Sequence, residues 1–589
     1  MKFLTSMFSA LLVPFAASAA MTWYPAPDWK DEVDPSASPA ARKGGTIRLY
    51  GGQGPKSYNG YVDNNAYTGM TFGLMYSSLL SIDPVTLDFE PSLARRWAVS
   101  DDGHEFIFEI DSDAKWSDGA RVTAEDVKWT FDSVMDPKSD TGSWKTILGA
   151  FDTPVVKDSR TIVFRKKGAT VKDWRDLMNI AFFKILPSHY FKGGDFNKLD
   201  FLSAPVSGTY CLSKIREGVS AEFSRAPSWW CSAKLSAVGL NNFDRIVMKY
   251  YADNENAFEA FKKREIDVYP VYSARIMAEG VNTESFKKNH ALKRRVRNHE
   301  PIGFQGFAMN MRRSPFDDIR VRKAMALLLD RETMNRTMMN GEYFLLKSYF
   351  TDLYDERNPC RNTLWPFDPA RAGRLLDEAG WKRGKDGSRE KDGKKFVFTF
   401  LSRGSSEDKF LALFDHQLKL QGVTMKIARK DFASWMRDTD EYNFDMTWAA
   451  WGAAIFRMPE TMWHSNSGKE RGGNNIVGFV SAEVDRLIEE EKTMMSSVER
   501  ERAYRAMDAL IAKEVPYVLL WNTDERRVLS WNKFGAPPTV LGRYGYEESV
   551  LSYWWYDIDR AAELKEAIEN GTCLPDVPVR VDYDKVTGQ

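Results

Sequence analysis

The chain has 589 residues, 43% of them hydrophobic and 28% charged, the make-up of a globular protein with a large core. That length corresponds to about three to four domain-sized units. Lysine plus arginine and aspartate plus glutamate both number 82, so the net charge is zero. Nothing in that balance draws the protein to nucleic acid or to an anionic membrane.

At the amino terminus Lys2 precedes a largely apolar run from Phe3 to Ala17, the length of a secretory signal core and short for a bilayer span. Ala17-Ser18-Ala19 and Ser18-Ala19-Ala20 are both small-x-small cleavage sites, so residues 1–20 are read as a cleaved signal peptide. No cysteine follows the apolar run, which argues against a lipid anchor. The mature protein is expected free in the periplasm, and no later apolar stretch approaches the roughly 18 residues of a membrane span.

Residues 20–45 read as an irregular lead-in, and 44–50 as an alternating strand that ends in the turn cluster Gly51-Gly52-Gln53-Gly54-Pro55. Small and apolar groups recur at helical spacing over 66–80. A strand is expected at 106–110, a turn at Trp116-Ser117-Asp118-Gly119, and a helix opening at Thr123, with Asp126 completing a capping-box-like pair. Residues 208–227 form a hairpin around Glu217-Gly218; strands at 243–251 and 266–269 flank a helix at 254–263. The basic run Lys287, Lys288, Lys293, Arg294, Arg295 and Arg297 reads as a solvated face between elements. Helices follow at 317–329, 369–379, 408–420, 482–492 and 498–512, with strands at 396–401, 425–428 and 515–521. This alternation indicates an α/β protein with mixed sheets.

The four cysteines, Cys211, Cys231, Cys360 and Cys573, suit disulfides in an oxidising compartment, with three possible connectivities. Cys211–Cys231 is the local option and leaves Cys360–Cys573. The hairpin, however, sets Cys211 opposite roughly residue 224, so this bond needs the chain to fold back at Trp229-Trp230. The spacings fit no zinc motif, and no metal or cofactor is expected.

Catalytic patterns are largely missing. The six histidines form no H-E-x-x-H pattern, and neither a G-x-S-x-G elbow nor a P-loop occurs. Carboxylate pairs such as Asp101-Asp102 and Glu547-Glu548 carry little information among 82 acidic residues. Surplus aromatics point elsewhere: with 19 Trp, 23 Tyr and 36 Phe, most serve packing, but Trp448-Ala449-Ala450-Trp451-Gly452-Ala453-Ala454 sets small residues between bulky rings, as a ligand cleft does.

Several ordered motifs resemble one family. They include Ala94-Arg95-Arg96-Trp97-Ala98-Val99-Ser100-Asp101-Asp102-Gly103, Trp116-Ser117-Asp118-Gly119 with Val122-Thr123-Ala124-Glu125-Asp126-Val127, and Ser207-Gly208-Thr209-Tyr210. Trp229-Trp230, Phe316 to Ala324 and Ala372 to Trp381 continue the series. Together they resemble the family 5 extracellular solute-binding proteins, the peptide- and nickel-type receptors of ABC importers. Within it, Asn242 to Ile246, Tyr250 to Asn254, and Trp554-Trp555-Tyr556-Asp557-Ile558 are most similar to the YejA-like oligopeptide receptors.

The resemblance implies a three-domain, pear-shaped α/β fold of the periplasmic-binding-protein type, two lobes closing on a ligand plus an extra domain. Lobe I would take residues 21–65, 205–300 and 527–589, the extra domain 66–204, and lobe II 301–526. It implies a non-enzymatic, monomeric receptor that captures oligopeptides and delivers them to a membrane permease. The residues expected to line the site are Ser57, Tyr58, Asn59, Trp448, Trp451, Gly452, Arg457 and Trp521. One departure stands out: the family's peptide receptors often carry an Asp after the Trp-Gly-like segment, to pair with the peptide's α-amino group. Here Trp451-Gly452-Ala453-Ala454-Ile455-Phe456-Arg457 has none, and Arg457 is the nearest charge. That leaves open an acidic or carbohydrate-like group facing Arg457. Three readings therefore stand: a peptide receptor; the same scaffold holding an oligosaccharide, an opine or a peptide-nucleotide conjugate; and a secreted hydrolase with two carboxylates.

Overall fold

A computed structural model of the chain describes residues 20–588 apart from 64, 169–172, 272–274 and 470–471. The expected signal peptide thus lies, except for residue 20, outside the described residues. Among those residues no helix is long and apolar enough to cross a membrane.

The first lobe is built on an eight-stranded sheet gathered from distant parts of the chain. Its order is Arg580–Asp582, Ala291–Arg297, Glu525–Trp531, Val268–Pro270, Thr46–Tyr50, Arg245–Lys249, Ser220–Arg225, Tyr210–Arg216. Thr46–Tyr50 runs parallel to both of its neighbours. Period-two alternation splits its side chains between two cores. Ile47 and Leu49 join Ile246, Met248, Val296 and Val528 on one face, while Tyr50 joins Tyr269, Leu529 and Trp531 on the other.

The basic run is not the solvated connection expected of it. Ala291–Arg297 is a full strand, paired along its length with Glu525–Trp531. Leu292 and Val296 turn inward, and Arg295 is held between Glu342 and Glu525. Cations are tolerated in this strand because carboxylates from two other segments neutralise them.

The extra domain carries a five-stranded sheet in the order Met21–Tyr24, Ala94–Ser100, Glu105–Ile110, Thr161–Arg165, Val155–Val156. The helix Ala124–Met135 starts where the sequence places it, with Thr123 and Asp126 forming the reciprocal capping box. Met21–Tyr24 pairs with Ala94–Ser100, Trp23 opposite Ala98. These residues therefore complete the extra domain's sheet, not that of lobe I, to which the range 21–65 assigned them.

Lobe II holds a second five-stranded sheet: Thr424–Arg429, Val397–Ser402, Met446–Trp451, Phe304–Met309, Tyr517–Leu519. Helices Ile319–Leu328, Pro369–Glu378 and Asp408–Leu420 pack on one face, Ala482–Lys492 and Ser497–Glu514 on the other. The chain passes between lobes I and II twice, over 298–303 and at 523–524.

All four cysteines are free thiols, which corrects the expected bridges. Cys211 faces Ser224 in the hairpin register, close to the anticipated position, and its thiol donates to the Ser224 carbonyl. Cys231 lies on the loop beyond the hairpin. Cys360 sits in lobe II, its thiol directed at the Lys347 carbonyl. Cys573 is exposed in the C-terminal segment, next to Thr572, whose carbonyl meets His290 of lobe I.

Candidate functional site

Where the two crossings meet, the backbones run close together. A side chain at Gly303 would place its Cβ 2.1 Å from the Trp451 carbonyl oxygen, so only glycine lets the first crossing pass the end of the Met446–Trp451 strand. Asn522, just before the second crossing, donates to the Gly303 carbonyl at 2.7 Å. Glu300, 3% exposed, is ion-paired with Arg526, and the Arg526 guanidinium lies 4.8 Å above the Tyr546 ring. The Ile302 amide donates to Asp352 of lobe II.

Beside this crossing, lobe I presents a cavity of about 380 Å³. Its walls are Leu49, Tyr50 and Met248 from the carboxyl-end halves of parallel strands, Val268 and Pro270 from the neighbouring strand, Tyr67 and Met70 from the helix Ala66–Met75 that opens the extra domain, and Tyr546, Glu547 and Glu548. Carboxyl ends of parallel strands are where open α/β sheets hold ligands. Tyr50 and Tyr67 meet edge to face at 5.8 Å. Burial raises the Tyr546 hydroxyl above its ordinary range; Arg526 opposes this, and Glu548, Glu547 and Asp352 of lobe II add to it. Enclosure by protein, with a further push from Glu547, raises the Glu548 carboxyl to about 7. A larger cavity, about 790 Å³, lies at the sheet edge formed by Ala291–Arg297 and Arg580–Asp582 and reaches Asp524 at the second crossing.

A second contact joins the extra domain to lobe II. Phe456 stacks on Phe89 (centroids 6.3 Å apart, planes at 10°) and packs against Phe182 at 5.9 Å and Trp174 at 5.5 Å. Trp174 is fully buried, and its indole N–H donates to Glu491 at 2.9 Å. Arg175, itself forked onto Asp173, also pairs with Glu460. Burial pushes the Glu491 carboxyl above its ordinary range, partly offset by donation from Tyr504 and Trp174.

The residues anticipated from sequence divide into two groups. Trp451 is half-buried, its indole N–H on the Tyr517 hydroxyl at 3.2 Å, and the Gly452 backbone borders open space. Ser57 and Tyr58 are also half-buried, Tyr58 sharing a hydrogen bond with Tyr250 at 3.1 Å. The other four are occupied by the fold. Asn59 is fully buried, donating to the Phe196 carbonyl and accepting from the Tyr61 amide. Trp448 and Trp521 belong to the lobe II core, edge to face at 6.0 Å, with Gln305 accepting from the Trp448 indole and donating to the Trp521 carbonyl. Arg457 is ion-paired with Asp352, both side chains about nine-tenths buried. That pairing corrects the picture of Arg457 as a charge awaiting an acidic ligand. Sequence reasoning missed Tyr50, Tyr67, Met70 and Tyr546. Glu548 was visible only as half of an acidic pair, and nothing local distinguished that pair from the others.

A family model described as bacterial extracellular solute-binding proteins, family 5 Middle, matches residues 88–473. The chain is 26% identical over 616 residues to a probable peptide-binding protein YejA of Agrobacterium fabrum, covering 93% of this chain and 96% of that protein. It is 26% identical over 569 residues to an uncharacterized protein YejA of Escherichia coli, covering 91% and 92% respectively. Among solved structures, the oligopeptide-binding protein AppA from Bacillus subtilis, in complex with a nonapeptide, superposes with a TM-score of 0.61 at 20% identity. That superposition covers 88% of this chain and 99% of AppA, a likeness of fold.

Proposed function

This chain belongs to the bacterial extracellular solute-binding proteins of family 5, and we propose that it is the periplasmic receptor of an ABC importer for oligopeptides or peptide-like compounds. The observation that carries the reading is the cavity of Tyr50, Tyr67, Met70 and Tyr546 set directly beside a twice-crossed hinge. A ligand entering there meets aromatic rings and polar tips at low entropic cost. The half-buried Trp451 and the open backbone at Gly452 stand on the lobe II side. Likeness along nearly the whole chain to a relative named as peptide-binding supports the ligand class.

Binding is a hinge motion: the open form takes up the ligand, the lobes close, and the closed form docks on permease subunits. The ligand shifts this balance only by its preference for the closed state. Backbone hydrogen bonding of an extended peptide would tolerate varied side chains. The protein acts as a monomer, exported by its signal peptide.

A Trp448 or Trp451 ring lying flat in an open cleft would favour an oligosaccharide. Trp448 is spent on the lobe II core, and the Trp451 indole is tied to Tyr517, so the peptide reading stands ahead. The test is mass spectrometry of ligands released from protein purified from its native envelope. Peptides are expected; defined sugars with no peptides would overturn the reading.

A further inference from the structure

Glu548 is set in the short turn Glu547–Ser549 that leads into the helix Val550–Tyr553. Its side chain is solvent-accessible yet opens into the cavity framed by Tyr50, Tyr67, Met70 and Tyr546. Among the described residues it forms no ion pair, and the hydrogen bond acting on its carboxyl comes from its own backbone. The cation acting on it is Arg526, whose guanidinium pairs with Glu300 and stacks over Tyr546. Across the hinge, the Trp451–Arg457 segment contributes no carboxylate, and Arg457 is neutralised by Asp352.

A carboxylate that forms no ion pair among the described residues and feels Arg526 only through its charge, facing a cavity lined by tyrosine rings, has the chemistry of an ammonium site. The carboxylate supplies a charge-assisted acceptor, and the ring faces supply their negative quadrupoles. Arg526, the cation that acts on this carboxylate, is itself ion-paired with Glu300. We infer that Glu548, with the rings of Tyr50, Tyr67 and Tyr546 around it, holds a primary ammonium of the ligand, a peptide's free amino terminus or a basic side chain. This rests on the reading of the cavity as the ligand cleft.

A consequence follows for protons. Held at about 7, the Glu548 carboxyl is partly protonated in the empty receptor at neutral pH. An arriving ammonium favours the ionised form, so binding expels a fraction of a proton. The charged groups facing Glu548 are Glu547, which disfavours ionisation, and Arg526, which favours it.

The test uses the full chain, freed of bound ligand, and a tryptic digest of casein offered in two forms, untreated and with its amines acetylated. Captured peptides are quantified by mass spectrometry. Wild type is expected to retain the untreated digest about tenfold or more over the acetylated one. Glu548→Gln should capture both alike, and Glu548→Asp should keep part of the preference. Thermal melting of each variant checks the fold. Calorimetry of the best-retained peptide in two buffers of unequal ionisation enthalpy should show proton release in wild type and none in Glu548→Gln. Equal capture of both digests by wild type, or an undiminished preference in Glu548→Gln, would overturn the assignment while leaving peptide capture intact. Capture of neither digest would instead remove the peptide reading, and this inference with it.

Discussion

Glu300 and Arg526, 226 residues apart in sequence, form an ion pair between the first segment that joins the lobes and the strand that follows the second. The Glu300 side chain is 2% exposed and that of Arg526 30%, so the pair is lopsided in its solvation. Removing one partner of a buried pair leaves the other charge stranded, and the deeper charge is the costlier to strand.

From that asymmetry, Arg526→Ala should destabilise the protein by about 3 kcal/mol or more, and Glu300→Gln by clearly less. Urea unfolding of both variants decides it: losses of equal size would show that the burial difference at the hinge carries no energetic weight.

The Phe456 contact with Phe89, Phe182 and Trp174 joins two units of the chain. Phe456→Ala should leave each unit folded but favour the open form. Small-angle scattering of the ligand-bound protein should report a larger radius of gyration, and affinity for a captured peptide should fall about five- to tenfold. An unchanged affinity would remove the contact from the closure equilibrium.

Two nearby tryptophans should behave differently. Trp448 packs against Phe307 at 5.6 Å and Phe410 at 5.4 Å in the lobe II core, so Trp448→Ala should cost about 3–5 kcal/mol. Trp451, half-buried at the strand's end, should tolerate Ala with little loss of stability but weaken ligand binding. Thermal melts paired with calorimetry separate the two effects, and equal peptide affinity in Trp451→Ala would remove that ring from the site.

Glu90 offers a pH signature. Burial first, then the nearby charges of Asp83, Asp31 and Asp34, raise its carboxyl from 4.5 to about 7, against donation from Trp29. Between those values the native state keeps a proton that the unfolded chain has lost. Stability therefore falls as pH rises through that window and levels off above about 7. Glu90→Gln should lack this fall and be more stable than wild type at pH 8 by about 1–3 kcal/mol, with little difference at pH 4. Parallel pH profiles for the two proteins would contradict the burial of this charge.

Features with local causes were legible in the sequence. Thr123 and Asp126 stand three residues apart, so the capping box could be read directly. The hairpin turn at Glu217-Gly218 set the Cys211–Ser224 register. Ala291–Arg297 was not legible as a strand, because the carboxylates that neutralise Arg295 come from positions 47 and 230 residues away. The same holds for the site. Which tryptophans face a core depends on sheet packing, so Trp448 and Trp521 looked as available as Trp451. The cavity draws on segments near 50, 67, 268 and 546, whose convergence is a property of the discontinuous sheet and not of any one stretch.

Phe456 packs on three rings of the protein itself, Phe89, Phe182 and Trp174, a contact between the extra domain and lobe II that acts on closure alongside the ligand. A contact of this kind between the lobes bears on residence time, because a closed form held more firmly opens, and so releases its ligand, more slowly. Too tight a contact would also shut the empty receptor and tax capture by the fraction left open. The strength of the Phe456 contact is thus a trade-off between slow release of a bound ligand and ready opening of the empty receptor.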